Sequence, residues 1–172
     1  MLEKNAVTSV TIHDLLTRRW SPRAFDAARP VSRAQRSALL EAARWAPSAN
    51  NSQPWRFIVC DKSENAVAWQ KAFDCLGAGN KAWCQHVPLL LLSCTATVNP
   101  DGRPARYGQH DTGMATLSLM LEAQAQGLAA HAMAGYDLDK ARAAFAVPPD
   151  FNPVAMIAVG YQAEPEILDE TT

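Results

Sequence analysis

The most constraining stretch of this chain is a short apolar run, VPLLLLSC, at positions 87–94. Successive side chains of a strand point to opposite sides of a sheet. Four consecutive leucines therefore cannot belong to a strand with one wet face. The run is also far shorter than the roughly 20 apolar residues a membrane span requires. A strand covered on both faces remains, the pattern of a fully buried sheet. Such a sheet needs helices above and below it. PVAMIAVGY at 153–161 reads as a last buried strand, and WRFIVC and LAAHAMAGY read as two more strands.

The helices can be found by their punctuation. Ser32 with Gln35 forms a capping box ahead of Leu39, Ala42, Ala43 and Ala46, which repeat at helical spacing until Pro47 stops them. Thr11 with Asp14 predicts the capped start of a short helix ending at Arg18 or Arg19. Asp61 to Phe73 reads as a surface helix closed by the glycines of LGAGN. Asp111, as N-cap, opens a long helix to Gln126 that Gly127 closes. Its alanine richness implies close packing, with a second subunit as one partner to consider. Asp137 caps a last short helix. The turn-rich TATVNPDGRPARYGQ is the one long connection, expected to be mobile or to contact substrate. At 172 residues the chain is expected to form a single domain over 1–172.

Several function classes lose support at this point. The net charge of −1 gives no bulk field for nucleic acid. The start MLEKNAVTSV has no apolar segment after a basic one, so no secretory signal is expected and a cytoplasmic location is. Cys60, Cys75, Cys84 and Cys94 form no CxxC pair, and His86 near Cys84 does not make a zinc site. Reduced thiols and no metal are expected. No Ser/His/Asp order, Walker loop or GxGxxG stretch occurs. His131, in an apolar strand, reads as a hydrogen-bonded core residue.

Three segments carry more polar chemistry than folding requires. In TRRWSPRAF, Arg18, Arg19 and Arg23 crowd a turn with Ser21, a donor set that suits a phosphate or simply a solvated basic surface. In PSANNSQPWRF, Ser48, Asn50, Asn51 and Gln53 lie between a helix and a strand. They either satisfy the loop's own backbone or read the hydrogen-bonding edge of a flat heterocycle such as a flavin pyrimidine. In MAGYD, a strand runs through Gly135 into a capped helix, where backbone can approach a ligand closely.

Taken in order, RRWSPRAF, AARWAPSANNSQPWRFIV, HDTGMATLSLMLEAQAQGL, AMAGYD and VAMIAVGY resemble the nitroreductase family of FMN-dependent oxidoreductases, from about Val10 to Tyr161. The resemblance implies an α+β, three-layer nitroreductase-like fold with a central mixed β-sheet flanked by helices. It implies that Arg19, Trp20, Ser21 and Arg23 hold the FMN phosphate and ribityl chain. It also implies that Pro47, Ser48 and Asn51 reach across a homodimer interface to the other subunit's flavin. Asn80 would lie near the flavin pyrimidine, and Ala134 and Gly135 beside flavin N5.

Two departures from the family pattern bear on affinity and substrate choice. QAEPEILDETT carries none of the basic pair found near the C-terminus of larger members, and Trp83 stands where some members have a lysine. The implied activity takes hydride from NAD(P)H and reduces a small-molecule acceptor, a nitroaromatic, quinone or activated alkene, with ping-pong kinetics. The redox step belongs to the cofactor, and no side-chain catalyst is expected. Alternatives are a non-enzymatic flavin binder, or a dehalogenase or flavin-cleaving member with residues 95–109 as its lid. No nucleic acid or membrane partner is expected.

Overall fold

Leu89 and Leu91 face one side of the sheet, Leu90 and Leu92 the other, and all four are wholly buried. This arrangement comes from a computed structural model that describes residues 4–168; the ends of MLEKNAVTSV and of QAEPEILDETT lie outside the described residues. In chain order the elements are α1 (Asp14–Arg18), α2 (Arg33–Arg44), β1 (Trp55–Asp61), α3 (Ala66–Cys75), α4 (Ala78–Cys84), β2 (Leu89–Ala96), α5 (Gly108–Ala125), β3 (Ala129–Met133), α6 (Leu138–Ala144) and β4 (Phe151–Gly160). Short 3₁₀ turns occur at Ala49–Asn51 and Pro165–Ile167.

The strands pair in the order β1-β2-β4-β3. The two apolar runs, β2 and β4, are the inner strands, which explains why they lack a polar alternation. On one face Leu89, Leu91, Ile157 and Val159 pack against Leu39 and Ala43 of α2 and Ala115 and Leu119 of α5. On the other, Leu90, Leu92, Met156 and Ala158 pack against Trp69 and Ala72 of α3, Trp83 of α4 and Ala141 of α6. The fold is thus α+β in three layers.

All three pairings are antiparallel, where a mixed sheet was expected. A doubly covered strand reads as a continuous apolar run in either polarity, so burial alone does not fix strand direction. The β2–β4 register shifts between Ser93 and Cys94, opposite Pro153, a residue that cannot donate to the ladder.

Helix boundaries differ from expectation in three places. His13, not Thr11, caps α1 by accepting the Leu15 N–H at 3.2 Å. Asp61 ends β1, and Asn65 caps the helix that follows. Residues 78–84 form a helix of their own, where the glycines of LGAGN had suggested only a break. The capping box at Ser32 and Gln35, the cap at Asp137 and the left-handed Gly127 (φ +72°) are present as read. No helix among the described residues is long and apolar enough to cross a membrane.

Candidate active site

The arginine turn is built before any ligand is considered. The Pro22 carbonyl lies 2.9 Å from Nδ1 of His131 on β3. The backbone of Ala24 and Asp26 pairs with the chain beyond β4, through Ala163 N–H to Ala24 O at 3.1 Å and Asp26 N–H to Tyr161 O at 2.9 Å. Trp83 completes this support. Its ring stacks on His131 at 4.8 Å and on Phe25 at 5.9 Å between centroids. At 1% exposure Trp83 is a core residue joining α4 to the arginine turn, so the expected influence on substrate choice is not placed at a ligand surface.

A second knot holds the glycine turn. The Gly135 carbonyl accepts both the Gly77 N–H and the Asn80 Nδ2–H, each at 2.9 Å. The Asp137 N–H donates to the Cys75 carbonyl at 2.8 Å, and Leu76 bridges Tyr136. A Cβ on Gly135 would lie 2.9 Å from Asn80 Nδ2, and one on Gly77 would lie 3.2 Å from the Gly135 carbonyl oxygen. Glycine at 135 therefore leaves room for the Asn80 amide, whose Oδ1 makes no hydrogen bond to a described residue.

These two knots meet in one cavity of about 440 Å³ lined by Arg23, Gly77, Ala78, Gly79, Asn80, Ala82 and Gly135. Three of the expected site residues, Arg23, Asn80 and Gly135, are thereby brought together, with Ala134 adjacent and exposed. Arg19 follows α1 as its C-cap, and Ser21 is exposed in the same turn as Arg23. Trp20 lines a different groove with Lys4 and Arg18, and the Lys4 ammonium sits 5.3 Å from its ring centroid. The turn therefore divides, with only Arg23 lining the Asn80 cavity.

Pro47, Ser48 and Asn51 lie elsewhere, in the loop that enters β1. Asn50, Asn51 and Gln53 hold positive φ of 53°, 54° and 46°. Ser48 Oγ accepts the Gln53 N–H at 3.1 Å, and Gln53 Nε2 donates to Asn51 Oδ1 at 3.0 Å. Much of the loop's polar surplus is thus spent on its own geometry. The loop nevertheless lines a second cavity of about 420 Å³ with the connection from Asn99 to Gly108. That connection is fastened by Asn99 N–H to Arg103 O at 2.7 Å, Ala105 N–H to Thr97 O at 2.8 Å and a Val98–Pro104 bridge.

Asp111 corrects another expectation. The helix α5 starts at Gly108 with Tyr107 at its cap, so Asp111 caps nothing. Its carboxylate is 2% exposed and accepts the Ala49 N–H at 2.9 Å, with His110 Nδ1 3.0 Å from its other oxygen. Sequence reasoning missed this role and that of Gly77. The doubled glycines of LGAGN were the available signal for Gly77, while nothing local distinguishes Asp111 from a cap.

Side-chain nucleophiles and metals are poorly served. All four cysteines are free and buried, and burial pushes the Cys60 thiol up to about 11; it does the same for Cys94, against a lowering by the Arg142 charge. No group of metal-ligating side chains occurs among the described residues. The site instead offers a cation, an amide edge and bare backbone.

Comparison with known proteins identifies the fold and the family. The model of the Nitroreductase family matches residues 16–161. A crystal structure of an oxidoreductase containing FMN superposes with a TM-score of 0.91 at 32% identity, covering 99% of this chain and 87% of that one. An uncharacterized 15.4 kDa protein of Mycolicibacterium smegmatis is 39% identical over 85 residues, 49% of this chain and 57% of that protein, so the chain spans little more than half of this relative. The putative NAD(P)H nitroreductase YdgI of Bacillus subtilis is 24% identical over 184 residues, 88% of each chain. With a family match running from α1 to the end of β4 and a shared fold along nearly its whole length, the chain belongs to the nitroreductase family.

Proposed function

We propose that this chain is an FMN-dependent oxidoreductase that passes electrons from NAD(P)H to a nitroaromatic, quinone or activated alkene, and that it works as a homodimer with the flavin at the interface. The observation that carries this reading is the convergence of Arg23, the Asn80 amide and the side-chain-free Gly135 on one cavity. Those groups fit FMN chemically: a guanidinium for phosphate, an amide for the pyrimidine edge, and backbone open to close approach. The cavity volume of about 440 Å³ is within the usual range for small-molecule sites, roughly 300–1,000 Å³.

The chemistry that bound FMN supplies is two-electron transfer, with hydride arriving from NAD(P)H and electrons leaving to the acceptor. The chain's own work is placement. Arg19, Ser21 and Arg23 would hold the phosphate and ribityl chain. Asn80, with Nδ2 committed to Gly135, has Oδ1 to accept from a ring N–H. Ala134 and Gly135 would present backbone to the reactive edge, and no described side chain is assigned as an acid or base.

Where the second group lies supports the dimer. The Pro47–Asn51 loop precedes β1 and Gly135 follows β3, at the same end of the sheet but on opposite edges. Three strand spacings separate those edges, roughly 14 Å. A second copy is the natural source of a loop for the Gly135 cavity. Trp45 at 80% exposure, at the end of α2, and Leu117 at 47%, on α5, leave apolar surface on that layer for such a partner. One site that meets donor and acceptor in turn gives ping-pong kinetics.

The test is an absorbance titration of the purified protein with FMN. Saturable appearance of a perturbed flavin spectrum is expected, followed by bleaching with NADH or NADPH. A protein that binds no FMN would overturn the reading.

A further inference from the structure

We propose that Asp111 is a positioning residue for the Ser48–Gln53 loop, and through it for the flavin; the inference rests on the reading that this loop serves the flavin of a second copy. Left-handed backbone is uncommon for residues that carry a Cβ, less so for asparagine, so three such residues close together, Asn50, Asn51 and above all Gln53, rely on contacts to hold the loop's shape. Most contacts that do so are internal. The Asn51 N–H donates to the Ser48 carbonyl at 3.0 Å, the Ser52 N–H to the Ala49 carbonyl at 3.1 Å, and the Ser48 and Gln53 side chains bond within the loop. Bonds of this kind preserve a shape without fixing where it points.

The Asp111 carboxylate supplies the fixed point. It accepts the Ala49 N–H at 2.9 Å across 62 positions of sequence, immediately before the left-handed pair. It sits in the first turn of α5, where a buried carboxylate would be unfavourable without hydrogen-bond partners; the Ala49 N–H meets one of its oxygens and His110 Nδ1 lies beside the other. The anchor itself cannot readily shift. Where Gly108 enters α5, an added Cβ would lie 2.7 Å from both the Ala96 carbonyl oxygen and Thr95 Oγ1, so the start of the helix lies against the end of β2 with no space for a side chain. Asp111 thereby transmits the position of the sheet and α5 to Asn51.

The experiment compares FMN affinity, by fluorescence quenching, in wild type, D111A, D111N, A49P and N51A, together with backbone amide hydrogen exchange of the flavin-free loop. D111N keeps an acceptor oxygen. A49P removes the donor while leaving α5 untouched, and the extended Ser48 (φ −147°, ψ 153°) is compatible with a following proline. D111A and A49P are expected to weaken FMN binding by about tenfold to a hundredfold, the range for one hydrogen bond to a charged group. Exchange at Asn51 and Ser52, whose N–H groups are bonded within the loop, should quicken in both, and D111N should retain most of the wild-type behaviour. If D111A folds poorly, A49P still reads the bond. Loss in D111A with neither rescue in D111N nor loss in A49P would mean that Asp111 acts only through α5, and would overturn the inference. Wild-type affinity in D111A and A49P, with loss in N51A, would overturn it while leaving the loop's flavin role standing. Unchanged affinity in N51A as well would remove both.

Discussion

The side-chain amide of Asn80 donates to the backbone carbonyl of Gly135 at 2.9 Å, closing a wall of the candidate cavity between residues 55 positions apart. The contact depends on the absence of a side chain at 135, because a Cβ there would stand 2.9 Å from Asn80 Nδ2.

Gly135→Ala should therefore push the Asn80 amide aside and weaken FMN binding. The Gly77 N–H still satisfies the Gly135 carbonyl, so overall stability should change little. A neutral hydrogen bond contributes about 0.5–1.5 kcal/mol net, which corresponds to roughly twofold to tenfold in affinity. Asn80→Ala should lose a similar amount, and the double variant little more, because both remove one contact. Fluorescence titration of the three variants checks this.

Arg19→Ala should reduce FMN retention strongly, and wild type should prefer FMN over riboflavin. Riboflavin lacks the phosphate that Arg19, Arg23 and Ser21 are proposed to hold. Each charge-assisted bond contributes roughly 1.5–3 kcal/mol, so the preference should be at least about tenfold. Paired titrations with FMN and riboflavin measure it, and equal affinities would return the arginine turn to an ordinary basic surface.

Trp83→Ala should destabilise the fold by about 3–5 kcal/mol, as expected for removing a large buried aromatic. Trp83 is 1% exposed and stacks on both Phe25 and His131, so the loss should fall on the core as well as on the arginine turn. Urea denaturation followed by far-UV circular dichroism gives the difference. Trp83→Phe, which retains a ring, should lose less.

The contrast between Trp83 and Asp111 shows what the sequence could disclose. The leucine run declared a doubly covered strand, and Ser32, Gln35, Gly127 and Asp137 declared helix ends, because those signals act through neighbours in sequence. The α4 helix was hidden because Gly77 and Gly79 look like breakers, whereas Gly77 is the N-cap of that helix and packs against the Gly135 carbonyl, where a Cβ would stand 3.2 Å from the oxygen. Asp111 was misread because an acidic residue ahead of an apolar period resembles a cap, and its partner Ala49 is 62 positions away. Strand polarity was misread for a related reason: burial is written in each strand, but direction depends on how the connections run. Arg23, Asn80 and Gly135 line one cavity, while Trp20 faces another groove because its ring packs beside Lys4 and the end of α5.

Stability should fall below about pH 6.5 through His131. Burial holds its pKa below the ordinary value of 6.5; the Pro22 carbonyl opposes that shift and the Arg23 charge assists it. Between the folded and unfolded values the unfolded chain binds the proton and the native chain does not. The contribution is therefore fully present above about pH 6.5 and is lost as pH falls through the folded pKa. Urea midpoints on either side of that window should differ in wild type and differ less in His131→Gln, whose amide can still donate to Pro22.

The central claim is that each flavin site takes Arg23, Asn80 and Gly135 from one copy and Asn51 from another. Mixed dimers test it most directly. Arg23→Ala and Asn51→Ala proteins, each impaired in FMN binding alone, are unfolded together, refolded and titrated with FMN. A mixed dimer carries both lesions in one site and neither in the other, so the mixture should regain a fraction of sites with wild-type affinity. A mixture that binds FMN no more tightly than either variant alone, with subunit exchange verified by differential tagging, would contradict the account.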